Sequence, residues 1–278
     1  MLYMEPYLLF ENEDLLVFSK PPYYIMDTSR NYRKILKDKI NEMYKSNRKP
    51  YLLFIRKYLK DNYNINAYGP GYNCCHRLDI HTSGCVLVSK KPSYYHNCRK
   101  IINNKDTTFK IYVCLVKGLL SNKKGFIYKN IKCSKKLPTY CNTLIFNKNS
   151  KNSLPSISYY QVLNEYSYKN VFYSLVCVRI FTGRTHQIRV HMKSLGNPII
   201  LDDRYSHNTK TDKELIDRMF LHNIYLSFLY KNNRVKVEVP LPIDIKKCLN
   251  KLKLEKKYNF LLSIFLKKIP NVPLNFNR

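Results

Sequence analysis

Between Tyr159 and Gly183 the chain reads YYQVLNEYSYKNVFYSLVCVRIFTG, two strand-length runs joined by a polar turn near Lys169–Asn170. β-branched and aromatic residues crowd both runs, a composition that suits a pleated, half-buried surface better than a helix. A chain carrying this segment has to build a sheet. TFKIYVCLVKG (108–118), closed by Gly118, is the longest clear strand; LLVFSKPP (15–22) is a short apolar strand stopped by prolines. CVLVSK (85–90) reads as a buried strand and NRVKVEVPLP (233–242) as another. Helical stretches are expected over SYYHNCRKIINN (93–104), THQIRVHMKSLG (185–196) and the basic DIKKCLNKLKLEKK (244–257). Residues 34–65 suggest two basic helical pieces parted at Pro50, the second with Leu53, Ile55, Tyr58 and Leu59 on its apolar face. AYGPGYN (67–73) is a turn, and residues 119–156 read as lysine-rich loops around short strands. Helices do not alternate with strands one for one, so the pattern argues for α+β rather than a doubly wound sheet.

Forty-nine Lys and Arg face 19 Asp and Glu, a net charge of +30. Such a field attracts polyanions, nucleic acid first among them. AT-rich coding bias is the competing source of lysine, consistent with the absence of Trp and only seven Gly. Nine cysteines exclude a fully paired disulfide framework, and no C-x-x-C spacing marks a zinc site, so no metal is expected. Cys85, Cys114 and Cys177 lie in apolar runs and read as small core residues of a reducing compartment. No run approaches the ~20 apolar residues of a membrane span. The first 22 residues carry Glu5, Glu11, Glu13 and Asp14 and resemble neither a secretory signal nor a transit peptide.

Two dense polar motifs interrupt this pattern. In HRLDIHTSG (76–84) an extended backbone puts Arg77 and Asp79 on one side and His76 and Leu78 on the other. A carboxylate beside a guanidinium stays ionised, as a nucleophile or base requires; the plainer reading is an aspartate capping the turn at Thr82–Gly84. In GRTHQIRVH (183–191), His186, Arg189 and Lys193 form a polar stripe beside Ile188, Met192 and Leu195, and Gly183–Arg184 lead into a helix N-terminus suited to an anion. The plainer reading is an amphipathic helix with a solvated basic side. Tyr112 alternates with Lys110 on one side of its strand, where core packing is the default for a tyrosine.

Taken in order, HRLDIHTSG, KIYVCLVKG and GRTHQIRVHMKSLGNPIILDDRY resemble the RluA-type pseudouridine synthases, whose pattern is HRLD-x-x-TSG, K-x-Y-x-x-x-V-x-G and GRTHQIR-V-H. The resemblance extends from YLLFENEDLLVFSKP (7–21), with its Lys20-Pro21, to FLHNIYLSF (220–228) and VEVPLPIDI (237–245). It implies a single catalytic domain over 1–278, a mixed, mostly antiparallel central sheet flanked by helices with a catalytic cleft, and no separate N-terminal RNA-binding module. The chain departs from the pattern at Ile80-His81, at Leu201 where a glycine is usual, after Lys20-Pro21 where another is missing, and through residues 23–65.

The resemblance assigns the reaction to Asp79, which attacks or deprotonates the ribose of a target uridine. Arg189 would pair with that carboxylate, and Tyr112 would stack on the base and assist proton transfer. Arg77 would fill the space left by the flipped nucleotide. His76, Lys20, Lys110, Arg184 and His186 match positions of RNA contact or support. No metal or cofactor is implied. The expected partner is ribosomal or transfer RNA, and the expected enzyme is an intracellular monomer of the cytoplasm or an organelle. Two other classes compete: a silent RNA-binding protein of the same fold, and a nucleosidase or glycoside hydrolase, which needs a second carboxylate. Asp202–Asp203 is the nearest candidate for that second acid.

Overall fold

The computed structural model describes residues 5–26, 49–67, 73–134, 141–144 and 152–259. The chain divides into two compact units, Met1–Thr108 with His222–Pro240, and Phe109–Leu221 with Leu241–Arg278. Among the described residues no helix is long and apolar enough to cross a membrane.

In the first unit β1 (Tyr7–Glu11), β2 (Leu15–Lys20), β5 (Ser83–Ser89), β11 (Leu221–Tyr230) and β12 (Asn233–Glu238) lie side by side. All neighbours are antiparallel except β5 and β11, which run parallel. β3 (Tyr24–Ile25) and β4 (Lys49–Pro50) form a separate two-residue pair. β2 and β5 are buried along their whole length, so each reads as a continuous apolar run rather than an alternating one. Leu15, Val17, Cys85 and Leu87 point to one side and pack with Cys98 and Ile102 of helix α2 (Tyr95–Asn103). On β2, Phe18 meets the rings of Phe54 and Tyr58 from helix α1 (Tyr51–Tyr63) edge-on. Helix α1 starts right after Pro50, as expected, and buries Tyr51, Leu52, Ile55 and Leu59. The helical piece expected before Pro50 and the Gly-Pro-Gly of the 67–73 turn lie outside the described residues.

In the second unit β6 (Phe109–Lys117), β10 (Val171–Ile180), β9 (Ser153–Tyr168), β7 (Lys124–Cys133) and β8 (Cys141–Leu144) follow one another, all antiparallel. β9 and β10 are the hairpin read from the sequence. Lys169 and Asn170 both take positive φ, the geometry a two-residue turn needs to match the strand twist. Helix α3 (Gln187–Ser194) lies against β7, β8 and β9; helices α4 (Lys210–Leu215) and α5 (Ile243–Lys251) complete the unit. The mixed, mostly antiparallel architecture with flanking helices is the one expected.

Several local expectations need correction. The helix expected over 244–257 stops at Lys251, and Lys253–Lys257 form β13 on the edge of β9. Open backbone groups on that edge outweigh the helical propensity of LEKK. The expected 119–156 loops contain a ten-residue strand, β7. Helix α3 begins at Gln187, two residues later than expected, and Leu195 is exposed beyond its end instead of completing the apolar side. Seven cysteines are buried free thiols, Cys85, Cys114 and Cys177 among them. Cys133 and Cys141, however, are a disulfide, S–S 2.07 Å, because the β7–β8 register sets them opposite each other.

Candidate functional site

The HRLD loop belongs to the first unit and hangs from β5. Cys74 bridges to Val88, the Cys75 N–H donates to the Leu87 carbonyl at 2.9 Å, and the Leu87 N–H donates back to Nε2 of His76 at 3.0 Å. The His76 side chain thus extends the ladder by one rung, which places its Nε2 as the acceptor. Leu78 then turns inward and is buried, Arg77 is exposed, and Asp79 is half-buried. The turn is closed by main chain: the Thr82 N–H donates to the Asp79 carbonyl at 3.1 Å, a task any residue performs.

Lys20 holds this turn from beneath. It is 0% exposed, and its Nζ donates to the carbonyls of Pro21 (2.9 Å), Thr82 (2.8 Å) and Ile80 (3.3 Å). The Tyr23 N–H adds a bond to the Ile80 carbonyl at 2.8 Å. These bonds tie the end of β2 to the turn after Asp79. Gly84 ends the motif where β5 meets β11, with Asn223 opposite it. Its φ is +126°, and a Cβ there would sit 2.3 Å from the Asn223 carbonyl oxygen. The glycine of the TSG triplet is required on both counts.

The other two motifs belong to the second unit. Tyr112 is buried on β6 opposite Val178, and half-buried Lys110 lies two residues before it opposite Ile180. Loss of hydration pushes the Lys110 ammonium down to about 8. In GRTHQIR the glutamine organises the loop. Gln187 Oε1 accepts from Thr182 Oγ1 (2.8 Å) and from the Arg184 N–H (3.0 Å). Its Nε2 donates to the Ile157 carbonyl (2.9 Å) and Ser158 Oγ (3.0 Å). Arg184 is half-buried, gives Nε to the Pro155 carbonyl at 3.1 Å, and is lowered by burial. His186 takes a left-handed φ of 56° at the helix N-cap, and its Nδ1 lies 2.8 Å from the Tyr205 hydroxyl.

Arg189 is buried, not part of a solvated stripe. It grips Asp202 through two parallel bonds, Nε–Oδ2 at 2.7 Å and Nη2–Oδ1 at 2.6 Å, with Asp203 Oδ1 3.0 Å from Nη2. Asp202 Oδ1 also receives the N–H groups of Arg204 and Tyr205 at 3.1 and 3.2 Å. A carboxylate committed to a guanidinium fork and two amides is an anchor, which removes Asp202 as the second acid of a hydrolase. Leu201, where the pattern has glycine, keeps the positive φ of 53° that explains the usual choice. Gln187 and Tyr205 went unassigned in the sequence, and Asp202 was read only as a possible second acid, although each stands inside a quoted motif. Their roles are hydrogen bonds to residues up to 64 positions away, and spacing does not encode these.

His191 is fully buried between two serines. Ser156 Oγ donates to the Lys129 carbonyl (2.6 Å), so the His191 Nε2 at 2.8 Å must be the donor to it. Ser158 Oγ accepts from Gln187, so its hydroxyl proton turns to His191 Nδ1 at 3.0 Å. The imidazole is neutral with its proton on Nε2. Burial, with the Lys129 charge nearby, holds it down to about 3.

Comparison with known proteins fits these motifs. The sequence profile described as RNA pseudouridylate synthase matches residues 14–194, a span that contains Lys20, Asp79, Tyr112 and Arg189. The ribosomal large subunit pseudouridine synthase C of Escherichia coli K12 is 33% identical over 190 residues, 64% of this chain and 55% of that protein. Its counterpart in Buchnera aphidicola is 33% identical over 180 residues, 61% and 52% of the two chains. The chain thus spans about half the length of the curated relatives it matches. Among solved structures, human RNA pseudouridylate synthase domain containing 1 superposes with a TM-score of 0.66 at 20% identity, covering 94% of this chain and 93% of that one. Human RNA pseudouridylate synthase domain containing 4 gives 0.66 at 19% identity. These two carry the fold alone; the match over 14–194 carries the family. The chain belongs to the RNA pseudouridylate synthase family.

Proposed function

We propose that this protein isomerises uridine to pseudouridine in structured RNA, with ribosomal RNA as the first candidate substrate. The observation that carries this reading is that the family match spans residues 14–194, and Asp79, Tyr112 and Arg189 lie within that span, one in each of the three motifs by which the sequence resembles the family. A protein that only bound RNA would have no use for a carboxylate set among phosphates. The relatives named for the ribosomal large subunit favour ribosomal over transfer RNA.

In this reading the flipped nucleotide presents its sugar to Asp79. The N1–C1′ bond breaks, the uracil turns, and C5 bonds to C1′. C5 loses its proton and N1 ends protonated, so the reaction is redox-neutral. Whether the carboxylate adds to C1′ or takes the C2′ proton, it must be ionised, and Arg189 is its assigned partner. Tyr112 stacks on the base and assists the proton transfer from C5. Arg77, exposed in the first unit, occupies the vacated stack. Lys110 and Arg184 contact RNA, while Lys20 and His76 support the loop. The charge of +30 supplies phosphate contacts, and binding weakens steeply with salt.

The test is a transcript of ribosomal RNA labelled with tritium at uridine C5. Wild-type protein should release tritium to water, and Asp79→Asn should release none while still binding the transcript. Undiminished release by Asp79→Asn would overturn the assigned role. Failure of the wild type on ribosomal and transfer RNA alike would overturn the activity, and release of free uracil would favour a nucleosidase. Arg77→Ala should slow conversion of base-paired targets and spare an unstructured oligonucleotide.

A further inference from the structure

Tyr205 is the point in the second unit where the groups around helix α3 converge. It is buried, and its hydroxyl accepts the Cys141 N–H at 2.9 Å and meets His186 Nδ1 at 2.8 Å. The Cys141 amide fixes the place of the phenol oxygen, and the imidazole is held against that oxygen through Nδ1. The face of the ring carries cations: Arg189 Cζ is 5.1 Å and Lys193 Nζ 5.6 Å from its centroid. The His186 ring stands edge-on at 5.6 Å. The Tyr205 N–H bonds the same Asp202 oxygen that grips Arg189.

The phenol does not float in this position. Cys141 lies on β8, joined to β7 by the Cys133–Cys141 disulfide, and Ile131, Cys141, Val190 and Tyr205 form one buried cluster. The hairpin therefore sets where the Cys141 amide stands. That amide sets the hydroxyl, and the hydroxyl sets the imidazole.

We propose that Tyr205 is a positioning residue of the reaction: its ring fixes the guanidinium of Arg189 and its hydroxyl fixes the orientation of the His186 imidazole. The proposal rests on the pseudouridine synthase reading. A displacement of about 1 Å at a reacting group costs on the order of a hundredfold in rate, so a residue that touches no substrate can control turnover.

The experiment measures kcat and KM on the tritiated transcript for wild type, Tyr205→Phe, Tyr205→Leu, His186→Gln and the Tyr205→Phe/His186→Gln pair, beside each melting temperature. Tyr205→Phe keeps the ring and loses both hydroxyl bonds; kcat should fall about tenfold with little change in KM. Tyr205→Leu loses the ring as well and should fall about a hundredfold. In the His186→Gln background Tyr205→Phe should have almost no further effect, because the hydroxyl acts through that imidazole. A loss of melting temperature with kcat per folded molecule unchanged would overturn the proposal, as would additive effects in the pair. An inactive wild type would instead sink the proposed function, so the two failures are distinguishable.

Discussion

Lys20 Nζ reaches the Thr82 carbonyl at 2.8 Å across 62 residues of sequence, inside a region closed to water. That bond, with its companions to Pro21 and Ile80, ties the end of β2 to the turn that follows Asp79. In the proposed reaction the Asp79 carboxylate has to be held still, and the group that ties down the turn after it is a buried cation donating to main chain.

Replacing Lys20 by Met should therefore act on the turn. The substitution preserves bulk but leaves three carbonyls without this donor, a cost of about 2–3 kcal/mol. Chemical denaturation should report that loss, and the tritium-release rate should fall further than the stability. Lys20→Arg overfills the site and should not restore the rate.

Gly84→Ala should be among the most damaging single-atom changes in the first unit. The added Cβ meets backbone, the Asn223 oxygen at 2.3 Å, and a left-handed φ compounds the clash. The parallel β5–β11 contact must part, at a cost of about 3 kcal/mol. Soluble yield and melting temperature measure it. Ser83→Ala, one residue away on the same pair, should cost less.

Asp202 and Asp203, which both bond Arg189, should behave unequally. Asp202 is buried with both oxygens engaged, and Asp202→Asn leaves a buried guanidinium short of its charge partner, at about 3–5 kcal/mol. Asp203 is exposed, its bond to Arg189 is the longer one, and Asp203→Asn should cost less than about 1 kcal/mol. Urea titrations of both variants at one pH settle the comparison.

His191 predicts an acid limb of stability. Unfolded, its imidazole takes up a proton near its ordinary 6.5; in the fold it resists protonation until about 3. Between those values the unfolded chain binds more protons, so stability present above pH 6.5 drains away as pH falls, by up to about 1.4 kcal/mol per pH unit. His191→Gln can still bond both serines and does not titrate. It should flatten the slope of unfolding free energy against pH between 6.5 and 4, and an unchanged slope would exclude His191 as its source.

What the sequence by itself determined is whatever depends on neighbours along the chain. The β9–β10 hairpin was legible because two strand-like runs flank a Lys-Asn pair that accepts positive φ. Strands β2, β5 and β6, helix α1 after Pro50 and the three motifs were legible in the same local way. The tertiary structure alone decided which polar groups answer one another. Lys20 turned out to hold a loop, Asp202 to be an anchor, and Gln187 to staple Thr182, Arg184, Ile157 and Ser158 together. LEKK became a strand because β9 offered it an open edge, and two cysteines bonded because β7 and β8 set them face to face. The reason is common to all of these. A buried donor or acceptor must find a partner at any sequence distance, and that demand is met by three-dimensional packing, which local propensity does not record.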